Sequence, residues 1–324
     1  MGNLSRLICV SALFVSVAFA ESLLDETRKK AEKGDAAAQN NLGGMLSYGT
    51  GVPKDSAEAV KWFRKAAEQG LALAQLNLGN MYRNGEGVPK DSAEAIKWYR
   101  KAAEQSYADA QFALGKMYGA GDGVPKDYAQ AVKWYRLAAD QGHAKSQHNL
   151  GVMYLLGEGV LKNLAEAVKW FRKAAEQGIA LAQFNLGSMY ANGEGVPKNE
   201  AEALMWYQLA ASLGNSSAQH NIGSMYESGD GVPRNYAEAV RWYRKAADNG
   251  SDLAQYALGS MYWKGKGVTK DLVQAHVWFN VAGAAGNEEA KKALAFVEKE
   301  MTDTQKEKAM DLARELFAKL PKEK

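Results

Sequence analysis

The 324-residue sequence has little of what most metal, disulfide and catalytic chemistry uses. Its one cysteine, Cys9, excludes a disulfide framework and a cysteine-based zinc cluster. Histidines number four and prolines six. Charge of either sign is not in excess: 40 Lys+Arg against 37 Asp+Glu give +3, no electrostatic footing for nucleic acid. Beyond the N-terminus no apolar run reaches the roughly 20 residues that span a bilayer. Strand patterns of period two are missing. So are G-x-x-x-x-G-K-(S/T), H-E-x-x-H and G-x-S-x-G, and no serine has a lysine three residues later. Glycine (32) and tryptophan (8) are plentiful, in a chain that is 47% hydrophobic. Such a chain builds a core and offers function through a surface.

Met1–Ala20 reads as an export signal. Arg6 precedes an apolar stretch from Leu7 to Phe19, and Ala18-Phe19-Ala20 has the small residues that a signal peptidase accepts. Cleavage after Ala20 removes Cys9 and leaves a mature chain without cysteine. The expected location is periplasmic or secreted. Asn215 and Asn249 lie in N-x-S sequons that would matter only in a eukaryotic lumen.

The rest is one unit written seven times. Leu42-Gly43, Leu78-Gly79, Leu114-Gly115, Leu150-Gly151, Leu186-Gly187, Ile222-Gly223 and Leu258-Gly259 are spaced by 36 residues, and Trp62 to Trp278 keep the same period. Ala74, Leu78, Met81 and Tyr82 form one apolar face of a helix A, which ends at Gly85 and Gly87. Asp91 then reads as N-cap of a helix B, with Glu94 completing a capping box, a D/N-x-x-E/Q pair found in every unit. Gly43 and Ala38 are expected where helix backbones approach closely. The predicted fold is all-α, a right-handed α-solenoid of seven 36-residue helix-turn-helix repeats with helical caps. Its parts are a signal peptide (1–20), an N-terminal half-repeat cap (21–34), seven repeats (35–286) and C-terminal capping helices (287–324).

The unit A-x-x-Q-x-x-L-G-x-M-Y-x-x-G-x-G-V-x-x-(D/N)-x-A-E-A-x-x-W-(F/Y)-x-x-A-A-x-x-G resembles the SEL-one-like repeats, a branch of the tetratricopeptide superfamily. The resemblance covers about residues 21–300. Leu161 and Thr269 replace the loop proline, Leu46 the first tyrosine and Ser106 a glycine. It implies a non-catalytic adaptor or scaffold that needs no cofactor or metal; some exported bacterial relatives contact cell-wall enzymes or host proteins. A monomer with a protein partner is the expectation. The alternative is a cell-envelope module for peptidoglycan or another glycan, with weak hydrolase activity.

The resemblance also implies a concave wall lined by helix A. Positions there that vary while their neighbours repeat are not needed for packing. They supply the candidate partner-binding residues Arg83, Phe112, Lys116, His148, Phe184, His220, Tyr256 and Trp263, of types common at binding anchors. His148 and His220 share a column with Phe112 and Phe184 and read as aromatic substitutes, not metal ligands. The Gly-(Glu/Asp)-Gly loops lack the dense carboxylates of a calcium site. Lysine and arginine columns on helix B read as a solvated, charge-mixed face. Units five and seven break those columns with Met205, Gln208 and Leu209, and with Val277, Asn280 and Val281. The C-terminal helix is expected to cover unit seven; unit five has no such explanation, which leaves an intermolecular contact open.

Overall fold

The computed structural model describes residues 24–320, so the export signal read at Met1–Ala20 lies outside the described residues. Among the described residues all regular structure is helical: α1 (residues 24–32) and α2 to α17, with one 3-10 turn, Glu298–Glu300. The chain divides into two compact units, Met1–Lys162 and Asn163–Lys324. The first contains α1, α2 (Ala36–Tyr48), α3 (Ser56–Glu68), α4 (Ala72–Asn84), α5 (Ser92–Glu104), α6 (Ala108–Ala120), α7 (Tyr128–Asp140) and α8 (Ala144–Leu156). The second contains α9 (Leu164–Glu176), α10 (Ala180–Asn192), α11 (Glu200–Ser212), α12 (Ser216–Ser228), α13 (Tyr236–Asp248), α14 (Asp252–Lys264), α15 (Leu272–Ala284), α16 (Glu288–Val297) and α17 (Asp303–Lys319). Each unit is a stack of helix pairs in the α-solenoid manner.

Every helix from α2 to α15 has 13 residues, about 20 Å of helix. Helix A stops at a left-handed glycine whose N–H donates to the carbonyl of the repeating methionine, as Gly85 does to Met81. The second loop glycine is needed twice over. Gly87 has a φ of 71°, and a Cβ there would lie 2.1 Å from the carbonyl oxygen of Ser56 in the preceding repeat. A Cβ on Gly123, Gly195, Gly231 or Gly267 would lie 2.3–2.6 Å from the first turn of the preceding helix B.

Two local expectations need correction. The N-cap half of the capping box forms: Asp91 Oδ1 accepts from the Glu94 N–H at 2.9 Å. The reciprocal half does not, because the Asp91 N–H already donates to the Tyr82 carbonyl. Glu94 turns instead to Lys97 (2.7 Å), as Glu58 does to Lys61, Glu166 to Lys169 and Glu238 to Arg241. Among the described residues the full capping box occurs at Thr302 and Gln305 of α17. The glycine of the Leu-Gly pair makes room for a ring, not for a backbone. A Cβ on Gly79 would meet Tyr99 Cε1 at 2.5 Å, and one on Gly43 would meet Phe63 at 2.8 Å.

Two polar devices tie one repeat to the next. A buried glutamine on helix A (Gln39, Gln75, Gln111, Gln219) donates to the alanine carbonyl eight residues earlier, satisfying the open end of the preceding helix B. Its Oε1 accepts from the residue capping its own repeat's helix B: Gln69, Gln105, Gln141 and Asn249, at 2.7–2.9 Å. Where that cap is Leu213 or Ala285, the Oε1 of Gln183 or Gln255 is buried without a partner. Second, the helix B arginine donates to the tyrosine hydroxyl of the next helix A: Arg64 to Tyr82, Arg100 to Tyr118 (2.7 Å), Arg136 to Tyr154, Arg172 to Tyr190, Arg244 to Tyr262.

The end of the second unit is closed by α16 and α17. Val277 and Val281 of α15 are buried against Val297, Met301, Ala309 and Ala313.

Candidate functional site

In the first unit, the helix A face of repeats one and two holds a cleft of 520 Å³. Five asparagines line it: Asn40, Asn41, Asn77, Asn80 and Asn84, with Ser47, Tyr48, Thr50 and Glu86. Asn77 Nδ2 donates to Asn40 Oδ1 (2.9 Å), Asn84 Nδ2 to Glu86 Oε1 (2.8 Å), and the Tyr99 hydroxyl to Asn80 Oδ1 (2.7 Å). These bonds orient the amides and leave donors and acceptors over. A primary amide offers two N–H donors and a carbonyl acceptor, the complement of a peptide main chain. The sequence reading missed Asn41, Asn77 and Asn84. For Asn41 and Asn77 the signal is a column: Asn41, Asn77, Asn149, Asn185 and Asn221, interrupted by Ala113 and Ala257. Asparagine is a poor residue for mid-helix, so its recurrence there needs a reason beyond helix formation.

The predicted residues of this unit sit beside or beyond that cleft. Arg83 Nε lies 3.4 Å from Asp122 Oδ2 in the next repeat. The Asp122 carboxyl is held below its usual range by the Ser92 hydroxyl first and Arg83 second. Phe112 is tilted against Tyr135 (centroids 6.0 Å) and His143 (4.9 Å), and the exposed Lys116 ammonium lies 5.8 Å from its ring. Phe112 and Lys116 are therefore brought together. His148 is half-buried with Nδ1 3.2 Å from Asn149 Oδ1, and burial pushes its pKa down.

In the second unit each ring of the same column rests on the helix B aromatic of its own repeat. Phe184 pairs with Tyr207 (5.9 Å), His220 with Tyr243 (5.5 Å) and Tyr256 with Phe279 (5.7 Å). Burial lowers the His220 pKa also. Trp263 meets the same Phe279 edge-on at 6.4 Å, and its Nε1 donates to Glu300 Oε1 at 2.9 Å. So Tyr256 and Trp263 share one ring, under the C-terminal cap. A second cleft, 270 Å³, is lined by Asn192, Asn221, Ser224, Lys198, Glu200 and Asp230 on the corresponding face of repeats five and six.

The remaining histidines have local partners. His143 caps α8 through Nδ1 and places Nε2 3.2 Å from Asp109, and the fully buried His276 places Nε2 3.2 Å from Glu298. Among the described residues no cluster of three or more His, Cys, Asp or Glu could hold a metal ion. No helix among them is long and apolar enough to cross a membrane.

The Sel1 repeat matches seven consecutive segments: 36–71, 72–107, 108–143, 144–179, 180–215, 216–251 and 252–287. Among solved structures, the chain is similar to a Sel1 repeat protein from Oxalobacter formigenes. Identity there is 37% over 86% of this chain and 80% of that one, with a TM-score of 0.71. It is also similar to c5321, a protective antigen of uropathogenic Escherichia coli with an SLR fold. That match has 30% identity over 91% of this chain and 87% of that one, with a TM-score of 0.54. No curated protein matches the chain.

Proposed function

The chain belongs to the Sel1-repeat family, whose fold commonly serves as a non-catalytic scaffold for protein interactions. On that premise we propose that it is an exported adaptor, periplasmic or secreted. In this reading it holds an extended segment of a partner protein against the helix A face of its first two repeats. The observation that carries the reading is the asparagine-lined cleft. Its amides suit main-chain N–H and C=O groups, which every extended segment presents whatever its side chains. Arg83, Phe112, Lys116 and His148 are the residues of this unit assigned to read the partner's side chains; Phe184, His220, Tyr256 and Trp263 are the candidate binding residues of the second unit. Export is supported by the Arg6, Leu7–Phe19 and Ala18-Phe19-Ala20 pattern. It is also supported by the 30% identical relative's being a protective antigen. Cell-wall enzymes and host proteins are the partner classes proposed.

The test compares capture from envelope and culture fractions by the parent and by Asn41→Ala/Asn77→Ala/Asn80→Ala, once circular dichroism has matched their folds. A protein retained by the parent and lost by the variant is the expected result. Equal capture by both removes the cleft from the reading, and retention on purified peptidoglycan alone replaces the protein partner with a glycan. N-terminal sequencing of the exported chain is expected to begin at Glu21; a chain found intact in the cytoplasm refutes the proposed location.

A further inference from the structure

Repeat five departs from its neighbours on the outward face of helix B. The 36-residue register puts Lys169, Met205 and Arg241 in one column of α9, α11 and α13, Lys173, Leu209 and Lys245 in the next, and Gln177, Leu213 and Asn249 in a third. On α11 and its C-cap Leu213 the three apolar side chains fall at i, i+4 and i+8, one stripe along the helix. They are 42%, 43% and 56% exposed.

The substitutions cost the chain bonds that the other repeats keep. Glu202, lacking the cation that Glu166 and Glu238 find in Lys169 and Arg241, turns to Trp206 Nε1 at 3.2 Å. Gln208 makes no bond to Tyr226, where Arg172 and Arg244 reach Tyr190 and Tyr262. Leu213 leaves the Oε1 of Gln183 buried and unpartnered. An isolated chain gains neither stability nor solubility from this exchange. A chain whose stripe is covered gains apolar burial.

We propose that the Met205–Leu209–Leu213 stripe docks an amphipathic helix of a partner protein, apolar along one side and acidic along both flanks. Charge selects this occupant. The stripe itself has no cation, but Lys169 and Lys173 hold the same register on one neighbour and Arg241 and Lys245 on the other. The side chains of Lys169 and Arg241 are 67% and 70% exposed, so their pairing to Glu166 and Glu238 is solvent-screened and readily exchanged. Acidic flanks on a docked helix would meet cations on both sides. A second copy of the chain fits poorly, because a two-fold contact through this stripe sets the same four cations against their own equivalents. This surface is independent of the asparagine cleft.

The experiment uses a labelled synthetic helix of about five turns, with leucine along one face and glutamate on both flanks. Fluorescence anisotropy compares it with the same helix carrying lysine flanks. The expected result is binding of the glutamate-flanked helix alone, weakened by salt. Met205→Lys/Leu209→Lys is expected to weaken it by about tenfold or more, and Asn41→Ala/Asn77→Ala/Asn80→Ala to leave it unchanged. The lysine variant restores the residues of repeat four, Lys169 and Lys173, so it should melt no lower than the parent, and Leu213→Gln provides a second variant of the same kind. Absence of binding, equal binding of the two helices, or binding unaffected by the lysine variant overturns the proposal. Stripe-dependent binding to phosphatidylglycerol vesicles without binding of the peptide overturns it in favour of a membrane surface. Self-association abolished by the lysine variant overturns it in favour of a second copy.

Discussion

Leu213→Gln is expected to stabilise the second unit, the opposite sign to most substitutions. At the equivalent positions Gln69, Gln105, Gln141 and Asn249 donate to the buried glutamine of helix A at 2.7–2.9 Å. Gln183, 5% exposed, keeps its bond to the Ala175 carbonyl at 3.1 Å but has no donor for Oε1. A buried acceptor left open costs about 1–3 kcal/mol. Ordering a new glutamine side chain takes back up to about 1.5–2 kcal/mol, and losing Leu213 forfeits little, because it is 56% exposed. The backbone needs no adjustment: Leu213 has φ −90° and ψ 11°, Gln141 φ −83° and ψ 3°. The expected net gain is about 1 kcal/mol, or about 2–4 °C in Tm for a body of this size. Urea unfolding followed by circular dichroism, with calorimetry beside it, would compare the parent, Leu213→Gln, Gln183→Met and the double variant. The coupling energy should account for nearly all of the gain. A Leu213→Gln protein no more stable than its parent would refute the reasoning, and so would a gain that survives in the Gln183→Met background.

Gly87→Ala should destabilise by more than about 3 kcal/mol, since it adds a backbone overlap with Ser56 to the cost of a left-handed alanine. Gly51→Ala, with a φ of 73° but only Met45 Cε at 3.7 Å nearby, should cost about 1–2 kcal/mol; similar losses in urea titrations would show that the inter-repeat contact is unimportant. Ser106 holds a φ of 64° where the other repeats have glycine, so Ser106→Gly should stabilise by about 0.5–1 kcal/mol, and a lower melting temperature would contradict this. Burial pushes Tyr99 up to about 12 from 10.0, with the Arg83 charge opposing. Its contribution is therefore intact below about pH 10 and lost as pH rises towards 12. Tyr99→Phe should flatten that part of the stability profile, and an unchanged slope would mean the hydroxyl titrates normally.

The helical repeat was legible because its punctuation is covalent chemistry: glycine where φ is positive, Asp or Asn where an N–H must be capped, a heptad-like apolar face. Pairing partners were less legible. A capping box and a surface ion pair use the same Glu94, and only the three-dimensional route of the Asp91 N–H to the Tyr82 carbonyl decides between them. Gly79 advertises a close approach without saying that a Tyr99 ring makes it. The aromatic column read for binding has packing to do as well, since Phe184, His220 and Tyr256 each cover the helix B ring of their own repeat. The cleft eluded the sequence for a different reason. Its asparagines come from two helices 36 residues apart, and no local pattern says that Asn40 and Asn77 will meet.

Repetition supplies a control that a single domain lacks, because each departure can be compared with the same site in other repeats. Repeat seven exchanges its cations for Val277 and Val281, and both are buried in one cluster with residues of α16 and α17. Its Ala285 also leaves the Oε1 of Gln255 without a partner, the same defect as at Gln183. Repeat five makes the same apolar exchange with Met205 and Leu209, yet these stand exposed, in register with Lys169 and Lys173 of α9 and with Arg241 and Lys245 of α13. In one repeat the chain itself provides the helix that covers the apolar face. In the proposed docking the same arrangement, a helix laid across an apolar helix B, is completed at repeat five by a different molecule. This parallel makes α17, whose Ala309 and Ala313 share a buried cluster with Val277 and Val281, the internal template for the docked helix at repeat five.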